Sequence, residues 1–409
     1  MSNAESVLIV GAGLSGLACA SVLDKASIPF LIIDKSEEIG GRIKTYDYDG
    51  YRLDAGFQVL LTSYPEAKRF FDYDKLELNF CYSGSMVWYG DCFHRLSDPI
   101  RHPLNSLSSI FNPIGTFGDK IRIGLMRLGL LSTTSLQNDT STLEALERLG
   151  FGTSMIDRFW VPFMGGVFLE KELKTSVRKF EETFRLFSKG NTAFPRLGIG
   201  ELPRQLAHGL DKNNFLLGQK IKAVTSREIF FESGDALRGS HVVLAVEGSE
   251  CERLLGLEIT TSWNSVECIY FGLPDRVLPS REPILYLDGE GAGPINNLFF
   301  PGNLSDCTPK GKALASASII KPSGKDTEED MVNAALAQLK KWFGASVDDW
   351  QLIKRYQIKE AIPKCTKPTI QELATNGIYR CGDTSGIPSL DAALKSGRLV
   401  AEKIIEDRN

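Results

Sequence analysis

The strongest chemical signal in the chain is a set of glycines followed by one acid and one arginine. Gly11, Gly13 and Gly16 stand in Gly-x-Gly-x-x-Gly spacing. That spacing suits a diphosphate. The first glycine permits a tight turn, the second lets the backbone approach the phosphates, and the third lets a helix lie close to a strand. The N–H groups of the helix's first turn, Leu14 and Ser15 among them, then face the anion. Asp34 follows 18 residues after Gly16, where a carboxylate can accept hydrogen bonds from a ribose hydroxyl, and Lys35 beside it is a further candidate for nucleotide contact. Gly40-Gly41-Arg42 begins six residues after Asp34. A guanidinium fork there can neutralise diphosphate oxygens.

Local pattern predicts the elements that would position these residues. Val7 to Val10 is wholly apolar, as in a parallel strand buried on both faces. Leu17 to Lys25 reads as a helix, and Ile28 to Asp34 as a second strand. The uncharged stretch from Ser6 to Leu23 is therefore a strand–turn–helix unit. Three glycines interrupt it and only Glu5 precedes it as a charge, which argues against a membrane span or a signal peptide.

With Asp34, Gly40-Gly41-Arg42 and the following Asp54-Ala55-Gly56, the chain resembles a large FAD-dependent family. That family includes flavin amine oxidases, protoporphyrinogen oxidases and phytoene-type desaturases; here Asp stands in place of the commoner Glu. Tyr379 to Asp383 resembles the family's strand and Gly-Asp motif, and Ser389 to Gly397 its closing flavin helix. Pro195 to Ala207 resembles the segment that returns to the FAD domain. The resemblance implies an α/β fold with a Rossmann-like FAD-binding domain visited three times, at 4–60, 195–255 and 365–409. A mixed α+β substrate region would be inserted at 61–194 and 261–364. It also implies non-covalent FAD, with Gly56 passing the ring by its backbone and Gly382-Asp383 at the ribityl or diphosphate region. Ser389 and Leu390 would start the helix facing the ring's pyrimidine edge. Val224 would meet adenine through its backbone, or is simply a strand residue. Phe57 and Gln58 are weaker candidates beside the ring.

The implied reaction takes hydride from an amine or an apolar C–H bond. Oxygen or a quinone-like acceptor would then reoxidise the flavin. No side chain is singled out as catalytic; Lys312, Lys321 and Lys364 are candidates for a lysine near the ring, and nothing chooses among them. Gly289 to Gly293 follows a strand-like Ile284 to Leu287 but runs into Pro294 and an extended segment. It is not a second dinucleotide site, which argues against NAD(P)H as the electron donor.

Between the anchors, 61–194 reads as mainly helical, with a helix from Thr142, its cap, to Gly150, its stop. Phe159 to Phe168 is densely apolar and serves either as pocket wall or as core. Gly115 to Leu131 mixes basic and apolar residues, as in a cap-domain helix or, less favoured, one resting on a membrane. Region 261–365 carries strand-like runs at Val266–Gly272, Asn297–Phe300 and Ala313–Ile320, interrupted by a helix near Thr327 to Phe343.

Composition narrows the classes. The chain has 409 residues, 43% hydrophobic and 24% charged, with net charge −4. No long basic run is present, so a nucleic-acid partner is not expected. Eight scattered cysteines form no CxxC pair, which fits a reducing, cytoplasmic setting. Four histidines show no ligand spacing, so no metal site is expected. The expected partner is a small-molecule substrate, with apolar character and peripheral membrane contact as further options. Two other classes stay open: a sugar-mutase-like flavoenzyme without net redox, and a flavin-free binding protein like the GDP-dissociation inhibitors.

Overall fold

The computed structural model describes residues 5–132, 139–320, 327–367 and 372–408. Two large sheets organise them. The first has six strands in the order 215–216, 30–33, 7–10, 241–244, 378–380 and 374–375. Neighbours run parallel, with Val7 level with both Phe30 and His241, until the last strand turns back antiparallel. Strand Val7–Val10 lies centrally and is buried throughout, which is why it carries no polar residue.

Two helices, Leu14–Lys25 and Leu390–Arg408, cover one face of this sheet. They pack so closely at Gly397 that a Cβ there would lie 2.1 Å from the Ser15 carbonyl oxygen. Leu17, Ala18, Leu23, Val400, Ala401 and Ile404 fill this layer and are buried. Asp391, in the first turn of the later helix, accepts the N–H groups of Glu66 and Ala67 at 2.8 and 3.1 Å. It thereby caps helix Pro65–Phe70.

The second sheet has seven strands, in the order 351–363, 263–274, 312–320, 295–299, 285–288, 84–89 and 92–97. All pairs are antiparallel except Leu285–Asp288 beside Gly84–Tyr89. Helix Glu328–Phe343, opened by a Thr327–Asp330 capping box, packs on it through Met331, Ala335, Leu339 and Trp342. The hairpin 84–97 corrects the mainly helical reading of 61–194. Its signal was present: Gly90 and Asp91, both with positive φ, make the two-residue turn that twisted hairpins favour.

Helices between 142 and 189 form a separate cap core of Leu146, Met155, Trp160, Met164, Phe168 and Phe180, all buried. The run Phe159–Phe168 is therefore largely core. The helix over Thr142–Arg148 is capped by Ser141, whose Oγ accepts the Glu144 N–H, and not by Thr142. Thr142 instead donates its hydroxyl to the Thr175 carbonyl at 2.7 Å. Helices Pro103–Ile110 and Phe117–Arg127, with the turns that follow them, leave apolar side chains outside: Phe111 is 91% exposed, Leu104 81% and Leu130 73%. Among the described residues no helix is long and apolar enough to cross a membrane.

Candidate functional site

The glycine turn sits at the C-terminal end of the central strand. Gly11 has φ +114°, and a Cβ on it would come within 2.5 Å of the Ala245 carbonyl oxygen. A Cβ on Gly16 would lie 1.9 Å from the Gly11 oxygen. Gly13 differs, since a Cβ there would meet only the Gly41 Cα, at 3.9 Å. No side chain caps the helix that Gly13 opens, so its first-turn donors are left for another acceptor. Leu14 and Ser15 are buried in that turn.

A second glycine turn abuts the first, with the Gly40 N–H donating to the Ala12 carbonyl at 2.8 Å and Gly41 at φ +61°. Asp34 fastens the arrangement. Its carboxylate accepts the Ala12 N–H at 2.7 Å and the Ser36 N–H at 2.8 Å, leaving lone pairs for a ribose. Lys35 is exposed.

Arg42 joins distant parts of the chain. It pairs with Asp383 at 2.8 Å, donates to the Ala361 carbonyl at 3.0 Å, and lies 5.3 Å above the Trp263 ring. Burial works against its charge, and the Asp383 carboxylate more than compensates, holding the guanidinium above its ordinary pKa. The buried Trp263 Nε1 has no partner among the described residues, which leaves one more donor beside this pair. Gly382 donates its N–H to Ser396 Oγ at 2.9 Å. Ser389 Oγ accepts the Ala392 N–H at 3.0 Å, which makes Ser389 the cap of helix Leu390–Arg408.

Gly56 has φ +98°, and a Cβ there would press on Ile358 Cδ1 at 2.7 Å. Gln58 is committed to its own loop, donating to the carbonyls of Arg42 and Ala55. Phe57 meets Phe194 and Phe299, which stack on each other at 5.2 Å. Val224 belongs to a small antiparallel ribbon and packs with Leu8, Val10 and Ile33, on the face of the parallel sheet turned away from the two helices. Of the lysines considered, Lys312 and Lys364 are exposed, and Lys321 lies outside the described residues.

The sequence names Asp54 within a motif without a role of its own, and gives Lys179 no place at all. Asp54 accepts from Thr45 Oγ1 at 2.6 Å and from the Ile199 N–H at 3.0 Å. Burial pushes its pKa up to about 6 despite those bonds. Lys179, on helix Val177–Lys189, is only 3% exposed. Burial pulls its pKa down to about 8, and its Nζ sits 5.5 Å from the Phe168 ring centre. Its position seven residues before buried Leu186 places it on the inward stripe, a signal that helical periodicity carries.

A cleft of about 620 Å³ lined by Tyr73, Asp74, Glu77 and Arg196 contains none of the candidate cofactor residues. Among the described residues no His, Cys, Asp or Glu cluster could hold a metal ion, and all eight cysteines are free thiols. The uncapped first turn, the open space outside Gly13 and the Arg42–Asp383 pair together fit a dinucleotide diphosphate.

The pattern of flavin containing amine oxidoreductases matches residues 14–405. The chain is 22% identical over 383 residues to 15-cis-phytoene desaturase of Synechococcus elongatus, covering 88% of this chain and 80% of that one. It is 36% identical over 89 residues to an L-amino-acid oxidase of Sistrurus catenatus edwardsii, 22% of this chain and 17% of that one. Its fold superposes on an Exiguobacterium sp. 255-15 protein assigned as a protoporphyrinogen oxidase, with TM-score 0.74 and 17% identity over the whole of both chains. The match across nearly the full length leaves one conclusion: this chain belongs to the flavin containing amine oxidoreductase family and is an FAD-dependent oxidoreductase.

Proposed function

We propose that the chain holds FAD without a covalent bond and oxidises a C–H bond of an apolar small molecule, with oxygen or a quinone-like compound as final acceptor. FAD, when bound, supplies the hydride acceptor. The chain's residues do the rest. The N–H groups opening helix Leu14–Lys25, with Arg42, hold the diphosphate, and Asp34 holds a ribose. Gly382, Asp383, Ser389 and Leu390 meet the ribityl and pyrimidine end, and the bare backbone of Gly56 admits the ring. Val224 is assigned to the adenine end, and Lys35 to solvent beside the ribose. Phe57, Phe194 and Phe299 supply an apolar wall that keeps water from the reacting carbon. Stretches 4–60, 195–255 and 365–409 are read as one FAD domain, because all six strands of the parallel sheet come from them. Stretches 61–194 and 261–364 are read as the substrate region.

The observation that carries the apolar substrate is the outer face at 100–130. Ile100, Leu104, Phe111, Phe117, Leu128 and Leu130 are all exposed there. Its basic residues turn to protein partners instead: Arg127 to Asp98, Lys120 to the Asn112 carbonyl and Arg101 to Ser83. What faces outward is thus chiefly apolar, suited to a lipid surface from which an apolar substrate is drawn.

Anaerobic mixing of the yellow holoprotein with polyenes, porphyrinogens and amines tests the reading. Flavin bleaching by a polyene or a porphyrinogen is expected. Bleaching by amines alone overturns the substrate class, and a protein that takes up no FAD overturns the cofactor. NADH and NADPH should not bleach the flavin within seconds. Behind the 289–293 glycines Gln338 fills the space at Gly293, and strand Ile295–Phe299 follows instead of a helix.

A further inference from the structure

Lys179 is the buried charge that nothing so far explains. Its side chain is 3% exposed, and its Nζ rests 5.5 Å from the centre of the Phe168 ring. An ammonium so largely withdrawn from water is costly, and a ring face offsets only part of that cost, so a nearby anion is favoured. The charged and titratable groups within electrostatic reach are Cys365, Asp383, Glu170 and Glu182. Two of them are already engaged: Asp383 pairs with Arg42, and Glu170 accepts the Thr175 N–H. Glu182 in turn lies within reach of Arg185, Asp391 and Lys395, the last two in the opening turns of helix Leu390–Arg408. Burial raises the pKa of Glu182 and so weakens it as a counter-ion. The Phe168 residue under Lys179 accepts from Asn264 at its carbonyl, at 2.8 Å, and Asn264 follows Trp263, whose ring lies against Arg42; Lys179 thus stands on the cap side of the Arg42–Asp383 pair.

We propose that Lys179 is the cap's charge partner for the flavin, a positioning residue whose ammonium stabilises the negative charge that a two-electron-reduced flavin carries. This rests on the reading of the glycine turn and Arg42 as an FAD cradle. The substrate assigned above is apolar and brings no anion, so the reduced cofactor is the anion that this cation awaits. The positive end of helix Leu390–Arg408 contributes in the same sense, and Lys179 adds a full charge from the opposite element. Hydride transfer to the ring leaves the flavin with two more electrons and one proton, hence one net negative charge beside the ammonium.

Sulfite adds to an oxidised flavin and places the same negative charge on the ring, so it probes this effect without any substrate. FAD-loaded wild type, Lys179→Met and Lys179→Arg are compared by anaerobic sulfite titration and by reduction potential. Lys179→Met should weaken sulfite binding at least tenfold and lower the two-electron potential by about 30 mV, the equivalent of tenfold. Lys179→Arg, which keeps the charge, should stay close to wild type. Unchanged sulfite affinity in FAD-loaded Lys179→Met overturns the proposal, as does an equal loss in both variants. A rise in substrate KM alone does the same, because it would assign Lys179 to substrate. Wild-type protein that takes up no FAD overturns the cradle reading, and this proposal with it. Should the variants fail to fold, the wild-type potential measured from about pH 6 to 10 decides. Lys179 loses its proton more readily beside oxidised flavin, so reduction draws in one extra proton over part of that range. The potential then falls more steeply with pH there, and a plot without a steeper segment overturns the proposal.

Discussion

At the glycine turn the chain closes every gap except the one a phosphate would fill, whereas at 100–130 it leaves large apolar side chains in the open. Gly16 and Gly397 are pressed against backbone oxygens, while Phe111 and Leu104 touch almost nothing. In the first region the backbone path dictates the residue, and any side chain breaks it. In the second, composition is set by what lies outside the protein, so the fold tolerates change. Stability and function should therefore separate differently in the two places.

The largest effect is expected at Gly16. Gly16→Ala puts a methyl 1.9 Å from the Gly11 oxygen and should cost about 3 kcal/mol or more, with FAD lost together with the fold. Gly13→Ala sharpens the contrast. Its methyl has room, so the denaturation midpoint of the cofactor-free protein should barely move while FAD retention falls. Equal destabilisation in the two variants would break the distinction between a packed and an open glycine.

Arg42→Ala should follow. It removes charge-assisted bonds of about 1.5–3 kcal/mol each, and so weakens FAD roughly ten- to a hundred-fold by equilibrium dialysis. It also strands the buried Asp383. An unchanged FAD dissociation constant in a folded variant would remove Arg42 from the cradle.

Asp54 offers a smaller, pH-dependent effect. Its folded pKa is raised from 3.8 to about 6, so ionising it opposes folding. The group's contribution to stability declines as pH rises from about 4 to 6 and is flat above, at most about 3 kcal/mol. Asp54→Asn should therefore gain on wild type in urea midpoints between pH 4.5 and 7. A gap that does not change over that interval would contradict the raised pKa.

The smallest effect on stability belongs to the outer face. Phe111→Glu with Leu130→Glu should leave the unfolding free energy within about 0.5 kcal/mol, yet abolish flotation with phosphatidylcholine–phosphatidylglycerol vesicles. Wild-type protein that does not float, or that pairs through this face in sedimentation equilibrium, would replace the lipid surface with a second copy of the chain.

The same contrast explains what the residues disclosed in advance. The glycines and Asp34 were legible because turn geometry forces them, and Arg42 because it directly follows the Gly40-Gly41 turn, although its own partners lie far along the chain. Ser389 was legible because capping is a one-turn interaction. The hairpin 84–97 left a local trace only in its Gly90-Asp91 turn, and its pairing with 285–288 left none, because that neighbour lies far along the chain. Ser141 was passed over for Thr142 because both residue types cap helices, and only the tie from Thr142 to Thr175 separates them. Lys179 looked like any lysine of a charged helix, because its burial comes from the cap core and not from its neighbours in sequence.

Arg42 also sets a schedule for biosynthesis. Its guanidinium reaches a carbonyl 319 residues further along the chain, and the central strand it follows pairs with His241–Leu244. On the ribosome, strand Val7–Val10 must wait with an open edge until residue 244 has emerged, and the cradle until helix Leu390–Arg408 has. If FAD binds where we propose, its loading follows translation, and a chain stalled short of that helix is a flavin-free client for chaperones.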